Sequence, residues 1–323
     1  MTRFRPHPWT VGGHRQTLLG YWSRRLLRFP LPQEDFWVPV GDEARLLLRV
    51  TWQPGPRDAH PMLLVVHGLG GSDRATYAVS IGRLAFARGF HVARLNMRGA
   101  GESEEANARL YNAGLDTDVV AVLDALALSC SRLAIVGFSL GASVSLLALG
   151  RQRERLPEAL RAVAAVCPPL DLSACAAALE GPGGGFYTWY FMGNLREAYA
   201  RQQRRYPHLY EAGRERFTRT VRAFDERITA PYGGYRDADD YYARSSAGPW
   251  LASVDRPTLI LAAEDDPMVP ADSVRRFALP ASGLVEREVL PTGGHVGFVA
   301  PSEAPGSFWA ADRVLEWLGP RLA

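Results

Sequence analysis

Gly137-Phe138-Ser139-Leu140-Gly141 carries the strongest chemical signal in the chain. A serine with a glycine two places to either side, after the apolar run Leu133–Val136 and before the apolar run Leu140–Leu149, predicts a sharp strand-to-helix turn that lifts the hydroxyl clear of a sheet. Such a turn also aims the first N–H groups of the helix, that of Leu140 among them, at whatever the hydroxyl attacks. A serine hydroxyl is a weak nucleophile until a base takes its proton. Of seven histidines, His295 has the right setting, in Gly293-Gly294-His295-Val296-Gly297-Phe298 just after the strand-like Leu284–Leu290. His7, His14, His60, His91 and His208 have none.

The base in turn needs an acid to orient it, and on this turn type the order along the chain is serine, acid, histidine. Glu264-Asp265-Asp266-Pro267-Met268-Val269 follows the apolar run Thr258–Ala262. Asp266 fits the spacing of acid, one residue, then an apolar pair. Asp265 is the alternative, and the aspartate not used is expected to hydrogen-bond its own turn. An oxyanion would need a second N–H donor from a loop after an early strand. His67-Gly68-Leu69-Gly70-Gly71 after Met62–Val66 supplies one, the N–H of Leu69. His67 is expected to brace that loop. A phosphate-cradle reading of the same glycines lacks the acidic residue that should follow at ribose-binding distance.

The elements that must position these residues alternate. Ala44–Trp52 reads as an outer strand, and Phe90–Leu95 and Ala162–Val166 as further strands. Thr76–Arg88, Asp116–Leu128 and a closing Ser307–Leu318 read as helices. This alternation predicts an α/β protein, a mostly parallel central sheet with helices on both faces. From about 170 to 250 no strand pattern is present. That stretch opens with Gly181-Pro182-Gly183-Gly184-Gly185 and holds 15 of the 33 aromatic residues. We read it as a helical cap or lid inserted over one end of the sheet. The chain then divides into a single domain, 1–323, with an N-terminal extension at 1–35 and the insertion at about 170–250.

Composition narrows the class. With 323 residues, 47% hydrophobic and 22% charged, the chain can bury a large core and is neither disordered nor fibrous. All 37 basic residues are arginine, which excludes Schiff-base, pyridoxal-phosphate and Walker-type chemistry on a lysine. A net charge of +3 announces no nucleic-acid partner. Cys130, Cys167 and Cys175 have neither metal-site spacing nor the number for a disulfide framework, and the start lacks the apolar core of a signal peptide. A cytoplasmic location is the expectation. The uncharged stretch from Leu133 to Gly150 is long enough to test as a membrane span, but its glycines and serines read better as strand, turn and helix.

In these motifs the chain resembles the YheT-type α/β-hydrolases, the AB hydrolase 4 family of the AB hydrolase superfamily, nearly end to end. His14-Arg15-Gln16-Thr17-Leu18 resembles that family's N-terminal H-x-Q-T signature. His67-Gly68-Leu69-Gly70-Gly71 resembles its HGL-x-G loop, and Asn96-Met97-Arg98-Gly99 its F-R-G segment with Met97 in place of an aromatic residue. Gly137–Gly141, Pro169-Leu170-Asp171-Leu172, Phe224-Asp225-Glu226, Asp240-Tyr241-Tyr242, Asp265-Asp266-Pro267 and Gly293–Phe298 are similar as well. The resemblance implies the α/β-hydrolase fold and a serine triad, carried here onto Ser139, Asp266 and His295. It further implies carboxylesterase or lipase-like activity without metal or cofactor.

The expected function is therefore hydrolysis of a small-molecule acyl ester, with Leu69 and Leu140 as oxyanion donors. An acyltransferase on the same triad, a cofactor-free perhydrolase and a non-catalytic binding protein on the same fold are the alternatives. Between Arg196 and Arg222 eight arginines face three acids, with aromatic residues interleaved. That face is either a solvated helix surface or a contact with an anionic membrane.

Overall fold

The computed structural model describes residues 4–25, 27–41, 44–301 and 308–323. Among these residues eight strands form one sheet: β1 Glu34–Pro39, β2 Arg45–Thr51, β3 Met62–Val66, β4 His91–Leu95, β5 Leu133–Phe138, β6 Leu160–Val166, β7 Thr258–Ala263 and β8 Val285–Leu290. Their order across the sheet is β1-β2-β4-β3-β5-β6-β7-β8. Only β2 runs against the rest, pairing antiparallel with both β1 and β4. Five consecutive apolar residues cannot leave either face in water, so β3 lies mid-sheet between parallel β4 and β5 and is buried along its length.

Side chains alternate across a strand, and the core divides accordingly. Leu64, Val66 and Ile135 pack on one face with α3 (Asp116–Ala127) and α4 (Leu140–Arg151). Leu63, Val65, Ala134 and Val136 pack on the other with α2 (Thr76–Ala87) and α11 (Trp309–Leu322). The stretch from Leu133 to Gly150 is thus β5, a turn and most of α4. No helix among the described residues is long and apolar enough to cross a membrane.

Three expectations need correction or limitation. β2 is not the outer strand, because β1 pairs along its free edge. The sequence hides β1, since of Glu34–Pro39 only Val38 is buried. Ahead of β1 lies a helix, α1 (Gly13–Arg24). The closing helix runs further than expected, to Leu322, while Ser307 lies outside the described residues.

Between β6 and β7 the chain is helical: α5 Leu172–Glu180, α6 Gly185–Arg205, α7 Val221–Phe224, a π-turn at Asp225–Thr229, α8 Ala230–Gly233 and α9 Ala238–Ser245. Leu172, Ala176, Ala230, Ala238, Tyr241 and Tyr242 pack against Leu140 at the start of α4. The short α10 (Ala271–Arg275) follows β7.

Candidate active site

Ser139 sits between β5 and α4 with φ 51° and ψ −124°, a left-handed backbone that side chains rarely adopt. Close packing holds it there. A Cβ on Gly137 would stand 2.5 Å from Ala142 Cα, and one on Gly141 would stand 2.3 Å from the His67 carbonyl oxygen. The two glycines thus let the turn close against its own helix and against the 67–71 loop.

The structure brings Ser139, His295 and Asp266 into one hydrogen-bonded chain across 156 and 29 residues of sequence. His295 Nε2 lies 2.8 Å from Ser139 Oγ, and His295 Nδ1 lies 2.8 Å from Asp266 Oδ2. An ionised carboxylate only accepts, so Nδ1 carries the ring proton and Nε2 is left to accept from the serine hydroxyl. Asp266 Oδ1 accepts from the N–H groups of Met268 and Val269, which fixes the carboxylate in its loop. Asp265 does something the sequence did not suggest. It accepts from Thr292 Oγ1 and from the N–H groups of Gly293 and Gly294, so it braces the histidine loop rather than its own turn.

Leu140 is the first residue of α4, where a helix leaves N–H groups without intrahelical partners. Neither its N–H nor that of Leu69 donates to another group among the described residues. Leu69, Leu140, Ser139 and His295 line one cavity. His67 lies behind this loop. Its Nδ1–H donates to Gly68 O at 2.8 Å, its Nε2 accepts from Met97 N–H at 3.1 Å, and burial pushes its pKa down to about 4. A neutral ring with both nitrogens engaged is a brace, in keeping with the sequence reading. Tyr77 adds a second, accepting from Gly68 N–H at 2.9 Å.

Sequence reasoning assigned no role to α1, yet α1 holds the histidine loop. Thr17 Oγ1 accepts from His295 N–H at 2.9 Å, Gln16 bonds both the N–H and the carbonyl of Val299, and Arg24 donates to Val296 O at 2.9 Å. Arg24 is buried with no carboxylate partner among the described residues, and desolvation lowers its pKa to about 9. The only available signal was the clustered Gln16-Thr17 motif, because every partner lies more than 270 residues away.

Two spaces meet at Ser139. An inner cavity of about 100 Å³ lies beneath α5–α9, and a groove of about 400 Å³ opens outward between α1 and α6. Away from Ser139 and His295 the inner one is mostly apolar, with Asp225, Thr229 and Asn112 among its polar lining. Asp225 accepts from Tyr242 O–H at 2.8 Å, and burial pushes its carboxyl up to about 6 from an ordinary 3.8. Phe224-Asp225-Glu226 and Asp240-Tyr241-Tyr242, separate motifs in sequence, therefore meet here.

The folded protein binds the Asp225 proton more tightly than the unfolded chain does. The resulting stability is present below the unfolded pKa near 3.8 and is lost as pH rises through about 6. Asp225→Asn keeps an acceptor for Tyr242 and cannot ionise. It is expected to stabilise the fold by on the order of 2 kcal/mol at pH 8 and by little at pH 4. Thermal melts at both pH values check this, and a gain independent of pH would contradict it.

Among the described residues, Cys167, Asp266 and His295 place possible metal-ligand atoms within 4.8 Å of one another. Burial and the neighbouring Asp266 hold the Cys167 thiol well above its usual range, and a metal would have to break the Asp266–His295 bond. The arrangement fits a proton relay better than a metal centre. All three cysteines are buried and free.

A strand-turn-helix serine, an acid and a histidine, in that order along a chain that folds into a mostly parallel sheet, define an α/β-hydrolase. The family model described as alpha/beta hydrolase fold matches residues 61–300, and the chain belongs to that family. It is 31% identical over 312 residues to YheT of Escherichia coli (strain K12), a protein that bears an esterase name, covering 94% of this chain and 89% of that one. This places it among the YheT-type members. It is 29% identical to a monoacylglycerol lipase of Saccharomyces cerevisiae, over 81% of this chain and 59% of the yeast protein. It is 27% identical to the phospholipase ABHD3 of Mus musculus, over 74% of this chain and 58% of the mouse protein. The chain thus spans under two thirds of the length of those two relatives. The esterase Pf2001 of Pyrococcus furiosus shares the fold at a TM-score of 0.60 and 17% identity, over 91% of this chain and 95% of that one.

Proposed function

We propose that the protein is a serine hydrolase that cleaves carboxylic, lipid-like esters through an acyl-enzyme. The observation that carries this reading is the chain Ser139–His295–Asp266 at 2.8 Å spacings, opening on apolar space on both sides of the serine. Ser139 Oγ attacks the ester carbonyl carbon while His295 Nε2 takes the hydroxyl proton. Asp266 holds the imidazolium, and the N–H groups of Leu69 and Leu140 stabilise the oxyanion. Collapse of the tetrahedral intermediate breaks the C–O bond to the alcohol, which leaves with the proton from Nε2. Water then attacks the Ser139 ester, gives a proton to the same nitrogen, and the carboxylic acid departs as Ser139 recovers its own proton. We read α5–α9 as a cap over this site.

The inner cavity has room for only a short segment, so the bulkier part of the substrate belongs in the outer groove. The esterase and lipase names of the relatives support the same substrate class. The test is hydrolysis of an ester series graded by acyl length, with EDTA present throughout. Turnover of esters without loss to the chelator is expected. No turnover of any ester by folded protein, or loss restored by added zinc, would contradict the proposal.

A further inference from the structure

The mouth of the outer groove is unlike the rest of the surface. Leu18, Tyr21 and Trp22 project from α1, and Phe186, Trp189 and Tyr190 from α6, all exposed, with Trp189 72% and Trp22 55% accessible. The two helices are joined at this point, where the rings of His14 and Tyr187 stack at 5.6 Å and His14 Nδ1 lies 2.9 Å from Tyr187 Oη. The groove between them leads to Ser139 and His295. The two segments that form this rim carry no acid. No acid occurs before Glu34, and none occurs from Gly181 to Arg196. Arg5, Arg15, Arg25 and Arg28 are exposed and form no ion pair among the described residues, and the Arg25 guanidinium lies 3.7 Å over the Trp22 ring.

We propose that this α1–α6 rim docks on an anionic lipid surface, so that substrate enters the groove directly from the lipid. Exposed tryptophan and tyrosine suit the headgroup level, where an apolar ring body meets a polar edge. A helix with Leu, Tyr and Trp outward and arginines beside them matches interfacial helices, and anionic headgroups complement an acid-free basic segment. The arginine-rich stretch 196–222 is less suited to this role. Arg201 and Arg205 pair with Glu104, Arg214 with Glu211, and Arg222 with Asp239. The entry route rests on the esterase reading, whereas the lipid contact does not.

Cosedimentation with vesicles separates these ideas, because it needs no turnover. The vesicles are phosphatidylcholine alone, or phosphatidylcholine with an equal part of phosphatidylglycerol, each at low and moderate salt. The wild type is expected to bind the mixed vesicles, less so as salt rises, and to prefer them over the neutral ones. Arg15→Gln/Arg25→Gln should weaken that binding about 10- to 30-fold. Leu19, exposed beside Leu18 on α1, and Trp189 both lie outside the groove lining, so Leu19→Ser/Trp189→Ser should weaken binding about tenfold or more while keeping the wild-type melting temperature and turnover of a water-soluble ester. Arg201→Ala/Arg204→Ala/Arg205→Ala should bind as wild type. No binding to mixed vesicles, equal binding to both kinds, or loss only in the 201–205 variant would overturn the proposal.

Discussion

Ser139→Ala is expected to lower kcat for ester hydrolysis by roughly 10⁴- to 10⁶-fold with the fold intact. The expected size follows from the site's division of labour. Without Oγ no acyl-enzyme forms, and the histidine and the oxyanion donors retain only the background rate they give to direct attack by water. Alanine fits the space of serine, and the turn is held by the glycines at 137 and 141 and by the β5–β6 pairing around it, so thermal stability should change little. Pure variant protein that kept a tenth of wild-type activity would end the assignment of Ser139 as nucleophile.

Asp266→Asn is expected to cost about 10⁴-fold in kcat, and Asp265→Asn far less. In the first variant the new amide can turn either its oxygen or its NH₂ toward His295 Nδ1. With the NH₂ inward the ring proton moves to Nε2, where it blocks acceptance from the serine hydroxyl. The positive charge formed on the ring would also lose its counterion. In Asp265→Asn the amide keeps an oxygen for the N–H groups of Gly293 and Gly294, and its NH₂ can meet Thr292 Oγ1. The loss there is one of bracing, on the order of 1 kcal/mol. The kinetics of the two purified variants decide. The reverse ranking would make Asp265 the partner of His295 in turnover.

What could be read from sequence was local. Ser139 announces itself because the turn needs particular residues within five positions, and β3 and β5 because strands buried on both faces are apolar throughout. Two adjacent aspartates cannot be told apart by spacing with the same security. They differ in which direction the loop after β7 presents each carboxylate, one toward the imidazole and one toward the backbone of 293–294. β1 escaped because its exposed polar residues satisfy no burial pattern. The role of α1 escaped because Thr17, Gln16 and Arg24 act on a loop at the other end of the chain, and periodicity carries nothing about partners so distant. Asp225 escaped for a related reason, since its partner Tyr242 reaches it only through the fold of α7 to α9.

The most direct measurement is the fate of an activated fluorophosphonate offered to the purified protein. The phosphorus should be attacked by Ser139 Oγ with loss of fluoride, and intact mass should rise by one phosphonyl group. Peptide mapping should place that group on Ser139, and Ser139→Ala protein should stay unmodified under the same conditions. An unlabelled wild-type protein that nonetheless hydrolyses esters, or a label that maps elsewhere and survives in Ser139→Ala, would contradict the account.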